Sequence, residues 1–195
     1  MKRYLRSLLL AALMAALCFS LAACRKNTKK ADEEPTEDDY QYMTESIESG
    51  TSPGTFSSVD LDGNEVTESI FTEKDVTILN IWGTYCGPCK EEMPELARLD
   101  KEFPDNVQII GIVIDVFEGD SEMIGTAKKI CQDTGVSYTN IIVNESLIDL
   151  LDGIEAIPTT IIVDSEGKAI CDPIIGADVN AYKTAVTEYL EQMEK

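Results

Sequence analysis

The sequence predicts an α/β sandwich around a mixed sheet, and three observations predict it. Between residues 55 and 195, apolar runs of strand length alternate with helix-forming segments. Two of those runs, Val76–Trp82 and Val107–Ile114, are apolar almost throughout, as strands covered on both faces are. Past residue 158 the alternation gives way to two short apolar runs flanking Asp164-Ser165-Glu166-Gly167, then to one long closing segment. Strands alternating with helices, then a hairpin and a final helix, make a layered α/β domain.

Each element has its own signal. Phe56 to Val66 predicts a small hairpin turning at Asp62-Gly63-Asn64. Val76–Trp82 predicts the first buried strand, and Cys86 to about Phe103 the helix after it, kinked at Pro94. Val107–Ile114 predicts the second strand. Ser121 to about Thr134 suits a helix capped by Ser121 and ended near Gly135. Tyr138–Val143 predicts a third strand, and Leu147–Leu151 a short helical piece. Thr159–Val163 and Lys168–Ile170 form the expected hairpin, and Ala177–Glu194 the closing helix.

The domain has a preamble. Residues 1–23 combine Lys2, Arg3 and Arg6 with an apolar segment from Leu8 to Leu21, the make-up of an export signal. That segment is short for a permanent membrane span. Leu21-Ala22-Ala23-Cys24 is similar to the lipobox of bacterial lipoproteins, which implies cleavage before Cys24 and lipidation of it; ordinary signal cleavage or an uncleaved anchor, with Cys24 incidental, are the alternatives. Residues 24–54 carry Asp32-Glu33-Glu34-Pro35-Thr36-Glu37-Asp38-Asp39 and no apolar period, so they read as an acidic solvated tether. The remaining 55–195 is enough for one domain with a real core. Losing residues 1–23 moves the net charge from −20 to −23. A chain that acidic is repelled by nucleic acid and by anionic membrane surfaces.

The chemistry centres on Trp82-Gly83-Thr84-Tyr85-Cys86-Gly87-Pro88-Cys89-Lys90. A Cys-x-x-Cys pair can hold zinc, attach haem, form a staple or carry electrons. Zinc needs two further ligands, and the chain has no histidine. Haem attachment would need histidine where Lys90 stands. A ring this small removes little unfolded-chain entropy, so a staple contributes little. A helix starting at Cys86 aims unpaired N–H groups at its sulfur and favours the thiolate, the form that attacks disulfides. Redox chemistry is therefore expected, with Cys86 the nucleophile and Cys89, one turn inside, the resolving thiol. Pro88 stiffens the loop where the helix start needs no donor.

Glu92 falls three residues after Cys89, on nearly the same helix face. A carboxylate partly buried there would have a raised pKa and could exchange a proton with Cys89; it could equally be one more first-turn acid favoured by the helix dipole. Ile157-Pro158 precedes an apolar strand, where proline is tolerated with either peptide isomer. Cys131 and Cys171 are expected as buried unpaired thiols, with a Cys131–Cys171 disulfide or a relay to the active site as alternatives.

Asn80-Ile81-Trp82-Gly83-Thr84-Tyr85-Cys86-Gly87-Pro88-Cys89-Lys90, with Glu92-Met93-Pro94 and Ile157-Pro158-Thr159-Thr160, resembles the thioredoxin superfamily. Within it, the chain is similar to the membrane-tethered thiol–disulfide oxidoreductases of the TlpA and ResA type. The likeness covers about residues 55–195, including an extra helix and strand at roughly 121–143. It implies a thioredoxin-like three-layer sandwich with a TlpA-type helix–strand insertion, a cis Pro158 facing the disulfide, and Glu92 as the buried acid. It also implies a substrate-contacting surface of Trp82, Tyr85, Gly87, Pro88, Ile157 and Pro158. Asn80 stands where cytoplasmic thioredoxins carry a buried aspartate, a departure this branch shares.

The function this implies is reduction of disulfides in exported proteins at the extracytoplasmic face of the bacterial cell membrane, the protein being held there by a lipid anchor on Cys24. Apocytochrome c and methionine sulfoxide reductase are the substrates the likeness suggests, and a membrane thiol transporter of the CcdA type is the expected reductant. No cofactor, metal or nucleic acid is expected. Gly87-Pro88 is the dipeptide of reducing thioredoxins and sets the expected direction. Two other readings are a peroxidase of the related peroxiredoxin group and a non-enzymatic redox-sensing or binding lipoprotein. The first would need Pro-x-x-x-Thr-x-x-Cys, where this chain has Leu79 and Gly83 ahead of Cys86.

Overall fold

The strand at the middle of the sheet is buried along its whole length. In the computed structural model, which describes residues 49–50, 52 and 54–195, every residue of Val76–Trp82 is buried. The signal segment, Cys24 and the tether up to residue 48 lie outside the described residues. At the tether's far end the backbone is held: Gly50 donates its N–H to the Ala169 carbonyl at 2.7 Å, and Ser49 its N–H to Asp172 at 3.2 Å.

In chain order the elements are β1 (Ser57–Val59), β2 (Glu65–Thr67), a 3-10 turn (Glu68–Glu73), β3 (Val76–Trp82), α1 (Gly87–Glu102), β4 (Val107–Val113) and α2 (Ser121–Thr134). There follow β5 (Asn140–Ile142), a 3-10 turn (Glu145–Leu147), α3 (Ile148–Leu151), β6 (Thr159–Asp164), β7 (Ile174–Ile175) and α4 (Val179–Met193). The main sheet has the order β5-β4-β3-β6-β7. β3, β4 and β5 run parallel; β6 is antiparallel to β3, and β7 to β6. The β1–β2 hairpin docks on β5, where Ser58 Oγ donates to the Ile142 carbonyl at 2.6 Å.

The period-two alternation of a strand divides the core between the sheet's faces. Leu79, Ile81, Ile110, Ile112, Ile161 and Val163 pack with Phe56, Val66, Phe71, Leu147 and Leu150, under the hairpin, the turns and α3. Val76, Ile78, Ile109 and Ile162 pack with Leu96 of α1 and with Tyr182 and Val186 of α4. Asn80 and Thr160 share the parity of this second set, so the sheet's buried polar residues face the helix that carries the cysteines.

Three expectations differ in detail. The cap of α2 is Asp120, whose carboxylate accepts the Met123 N–H at 3.0 Å; an anion at the helix start suits the dipole, and Ser121 becomes the first helical residue. The third strand is shorter than Tyr138–Val143. Lys168–Ile170 contributes one bridge, Val163 to Ala169, rather than a strand. Asp172-Pro173 interrupts the ladder there, since proline has no N–H to donate, and pairing resumes at Ile174–Ile175. Gly135 ends α2 in the left-handed region at φ 78°, as the sequence predicts.

Candidate active site

The two cysteines are joined as a disulfide across 5.3 Å of Cα separation at the start of α1. Cys86 is the cap residue, extended at φ −79° and ψ 109°, and its sulfur accepts the Cys89 N–H at 3.2 Å. Gly87 and Pro88 form the first helical turn and are exposed. A residue with helix N–H groups directed at its sulfur has a stabilised thiolate once reduced. Cys86 retains a little exposure at 6%, while Cys89 has none.

The loop ahead of Cys86 is fixed by a residue the sequence reading passed over. Asp115, just beyond β4, accepts the Thr84 N–H at 2.9 Å and the Thr84 hydroxyl at 2.5 Å. Lys90 Nζ donates to the Thr84 carbonyl at 3.1 Å, tying the same loop to α1. The only signal in the sequence was an acidic residue directly after an apolar strand. Trp82 is wholly buried, and its indole N–H donates to Asn140 Oδ1 at 2.9 Å. Tyr85 is the outlier of the apolar candidates, 68% exposed beside the disulfide.

Facing the disulfide is the Ile157–Pro158 bond, which is cis, with the Ile157 carbonyl oxygen 3.7 Å from Cys86 Sγ. An apolar cavity of about 350 Å³ opens alongside, lined by Ile81, Tyr85, Ile114, Leu151, Ile154 and Ile157 among others. The structure therefore sets exposed Tyr85, Gly87 and Pro88 about the nearly buried Cys86, with half-buried Ile157 against its sulfur, and leaves Pro158 and Trp82 buried.

Glu92 lies one turn beyond Cys89 and is 5% exposed. Burial raises its pKa; hydrogen bonds from Asn80 Nδ2 to Oε1 at 2.8 Å and from the Tyr182 hydroxyl to Oε2 at 3.1 Å act the other way. Asn80 also donates to Thr160 Oγ1 at 3.2 Å, which uses both N–H groups and leaves its Oδ1 unpartnered. Tyr182 was not singled out in the sequence. Its only trace there is an apolar helix position four residues before Val186.

Cys131 is buried in the apolar cluster that includes Cys86 and Cys89, and burial pushes its thiol up to about 11. Cys171 is half-buried against the other helical cluster, and its pKa is raised as well. Neither is bonded to another cysteine among the described residues.

The chain is similar to known proteins. The model of the AhpC/TSA family matches residues 50–170. The thiol-disulfide oxidoreductase ResA of Bacillus subtilis (strain 168) is 30% identical over 128 residues, covering 65% of this chain and 67% of the relative. ResA of Bacillus thuringiensis subsp. konkukian is 28% identical over 154 residues, covering 79% and 83%. A crystal structure of a DsbE thiol:disulfide interchange protein from Chlorobium tepidum has the same fold, with a TM-score of 0.61 at 21% identity over 73% of this chain and 98% of that one. The chain thus belongs to the AhpC/TSA family of thioredoxin-like proteins, and like its ResA relatives it is a thiol–disulfide oxidoreductase, with its redox pair at Cys86 and Cys89.

Proposed function

We propose that this protein reduces disulfides in exported proteins from the extracytoplasmic face of the bacterial membrane, anchored through a lipid on Cys24. The observation that carries the mechanism is a Cys86–Cys89 pair at a helix start with a buried carboxylate one turn further in. In the dithiol form, the Cys86 thiolate attacks a substrate sulfur, and the first substrate thiolate leaves. Glu92 takes the Cys89 proton, and Cys89 attacks Cys86 Sγ. The second substrate thiolate departs and is protonated. Two electrons have then passed to the substrate, and the protein holds the Cys86–Cys89 disulfide. A membrane dithiol donor of the CcdA type returns it to the dithiol state.

The Ile157 carbonyl beside Cys86 suits main-chain pairing with an extended substrate strand, and Tyr85 and the adjacent cavity offer an apolar contact. Apocytochrome c and methionine sulfoxide reductase are exported proteins with disulfides of the kind this site would reduce. Gly87-Pro88 supports reduction as the direction.

The test is insulin-type disulfide reduction by the reduced protein. Cys86→Ser should abolish it, and Cys89→Ser should accumulate the mixed disulfide. A reduction potential near that of the strong oxidants, about −120 mV, would overturn the reducing direction.

A further inference from the structure

Tyr182 is wholly buried on α4, and its hydroxyl meets three polar groups. Glu92 Oε2 lies at 3.1 Å, the Gly176 carbonyl at 2.8 Å and the Asp178 N–H at 3.3 Å. A phenol has one proton to give and two lone pairs to receive. The Asp178 N–H is a donor and occupies a lone pair. The single proton then faces two acceptors, Glu92 and Gly176, and serves one of them at a time. Gly176 is itself tied to the substrate side, since its N–H donates to the Pro158 carbonyl at 2.8 Å. One hydroxyl therefore stands between the buried carboxylate and the strap that holds Pro158 against the disulfide.

We infer that Tyr182 is a positioning residue which couples the protonation of Glu92 to the Gly176–Pro158 strap by moving one hydroxyl proton between two acceptors. With Glu92 ionised, the Tyr182 O–H donates to Oε2, and the Asp178 N–H, 3.1 Å from the Gly176 carbonyl, keeps that oxygen partnered. With Glu92 protonated, its O–H donates to the Tyr182 oxygen, the Asp178 N–H settles on Gly176, and the Tyr182 proton turns to Gly176 as well. No proton is gained or lost beyond the one Glu92 takes up. The strap thus gains a hydrogen bond in the state in which Cys89 has given up its proton. The other titratable groups about Glu92 are Tyr138, ahead of β5, and Cys89 on its own helix; the sheet contributes only the uncharged Asn80 and Thr160.

The inference rests on Glu92 as the acid/base of the proposed reaction, and its test keeps the two apart. Glu92 is titrated by 13C-carboxyl NMR in the reduced full-length protein, its signal assigned by its loss in Glu92→Gln. Tyr182→Phe keeps the ring and removes a donor to the ionised form and an acceptor for the protonated one, and the charged form loses the stronger bond. The Glu92 titration should move up by about half to one pH unit, the excess of a hydrogen bond to a charged group over one to a neutral group. A purely packing role would leave it in place, and a titration coincident with wild type overturns the inference.

The second measurement needs no variant. The amide protection factor of Gly176 in the wild-type protein should rise by about fivefold as pH falls through the Glu92 titration. Protection that stays flat overturns the coupling. If Glu92→Gln reduced insulin at the wild-type rate, the acid/base reading would fall, and the two titrations would still decide the role of Tyr182.

Discussion

Replacing Gly111 by alanine should damage the site from behind the sheet. Gly111 is in β4, paired with Asn80 of β3 on one side and Asn140 of β5 on the other. A methyl group there would land on Asn140 Oδ1, 2.8 Å from Asn140 Cγ and 3.0 Å from Trp82 Nε1. These two side chains are the partners in the 2.9 Å bond that holds Trp82 under the cysteines. Both are buried, so neither can swing into solvent.

Breaking that bond leaves an indole N–H without a partner, which costs about 1–3 kcal/mol. Crowding a packed interior costs about 1–3 kcal/mol more. The smaller entropy of the unfolded alanine chain returns about 0.4–1 kcal/mol. The expected net loss is about 1–5.5 kcal/mol, a large share of the stability of a single domain. Urea unfolding followed by the fluorescence of Trp82, the chain's single tryptophan, measures both the loss and the altered ring environment. A loss below about 1 kcal/mol with an unchanged Trp82 spectrum would refute the reasoning. Adding Asn140→Ala removes the obstructing amide, so the double variant should lose less than the sum of the two single ones.

Glu92→Gln keeps a group that can accept from Asn80 and bond to Tyr182 but removes the titration; disulfide reduction should slow by about 10²–10⁴-fold. Because the folded-state pKa of Glu92 is raised by burial, its contribution to stability is complete in acid and is lost as pH rises through that pKa. Urea midpoints should therefore coincide for wild type and Glu92→Gln in acid and favour the variant at neutral pH; the opposite order would be fatal to that argument. Asp115→Ala removes the carboxylate that accepts from Thr84 and should cost about 1.5–3 kcal/mol in urea unfolding, with Thr84 N–H exchange accelerated. In the reduced protein at pH 8, iodoacetamide should label Cys86 first. Cys131, with a pKa of about 11 and 8% exposure, holds about a thousandth of its population as thiolate. Mass mapping that found Cys131 labelled as fast as Cys86 would contradict the structure.

The strands and the redox pair were legible because their signals are local. Val76–Trp82 announces burial by composition, and Cys86 announces a helix start by its place between an apolar run and Gly87-Pro88. Glu92 was legible through its three-residue spacing from Cys89. The cap of α2 slipped by one residue because Asp120 and Ser121 are both good caps, and only the backbone angles choose between them. Tyr182, Asn140 and Asp115 were out of reach for another reason. Each meets its site partner across the tertiary fold, and none belongs to a motif with a readable period. The edge strand was misplaced because Lys168–Ile170 and Ile174–Ile175 are both short apolar runs, distinguished only by how Pro173 breaks the ladder.

The contacts that complete the site span long stretches of chain. Cys86 meets Ile157 across 71 residues, Asn80 meets Thr160 across 80, and Glu92 meets Tyr182 across 90. Closing loops of that length comes late in folding, after the local helix around the cysteines can form. During synthesis, then, the cysteines and Glu92 are made well before Tyr182 arrives. A chain cut short of Tyr182 would keep both cysteines and Glu92 yet lack the hydroxyl that links them to the Pro158 strap. The last helix is the piece that turns a reactive loop into a finished site.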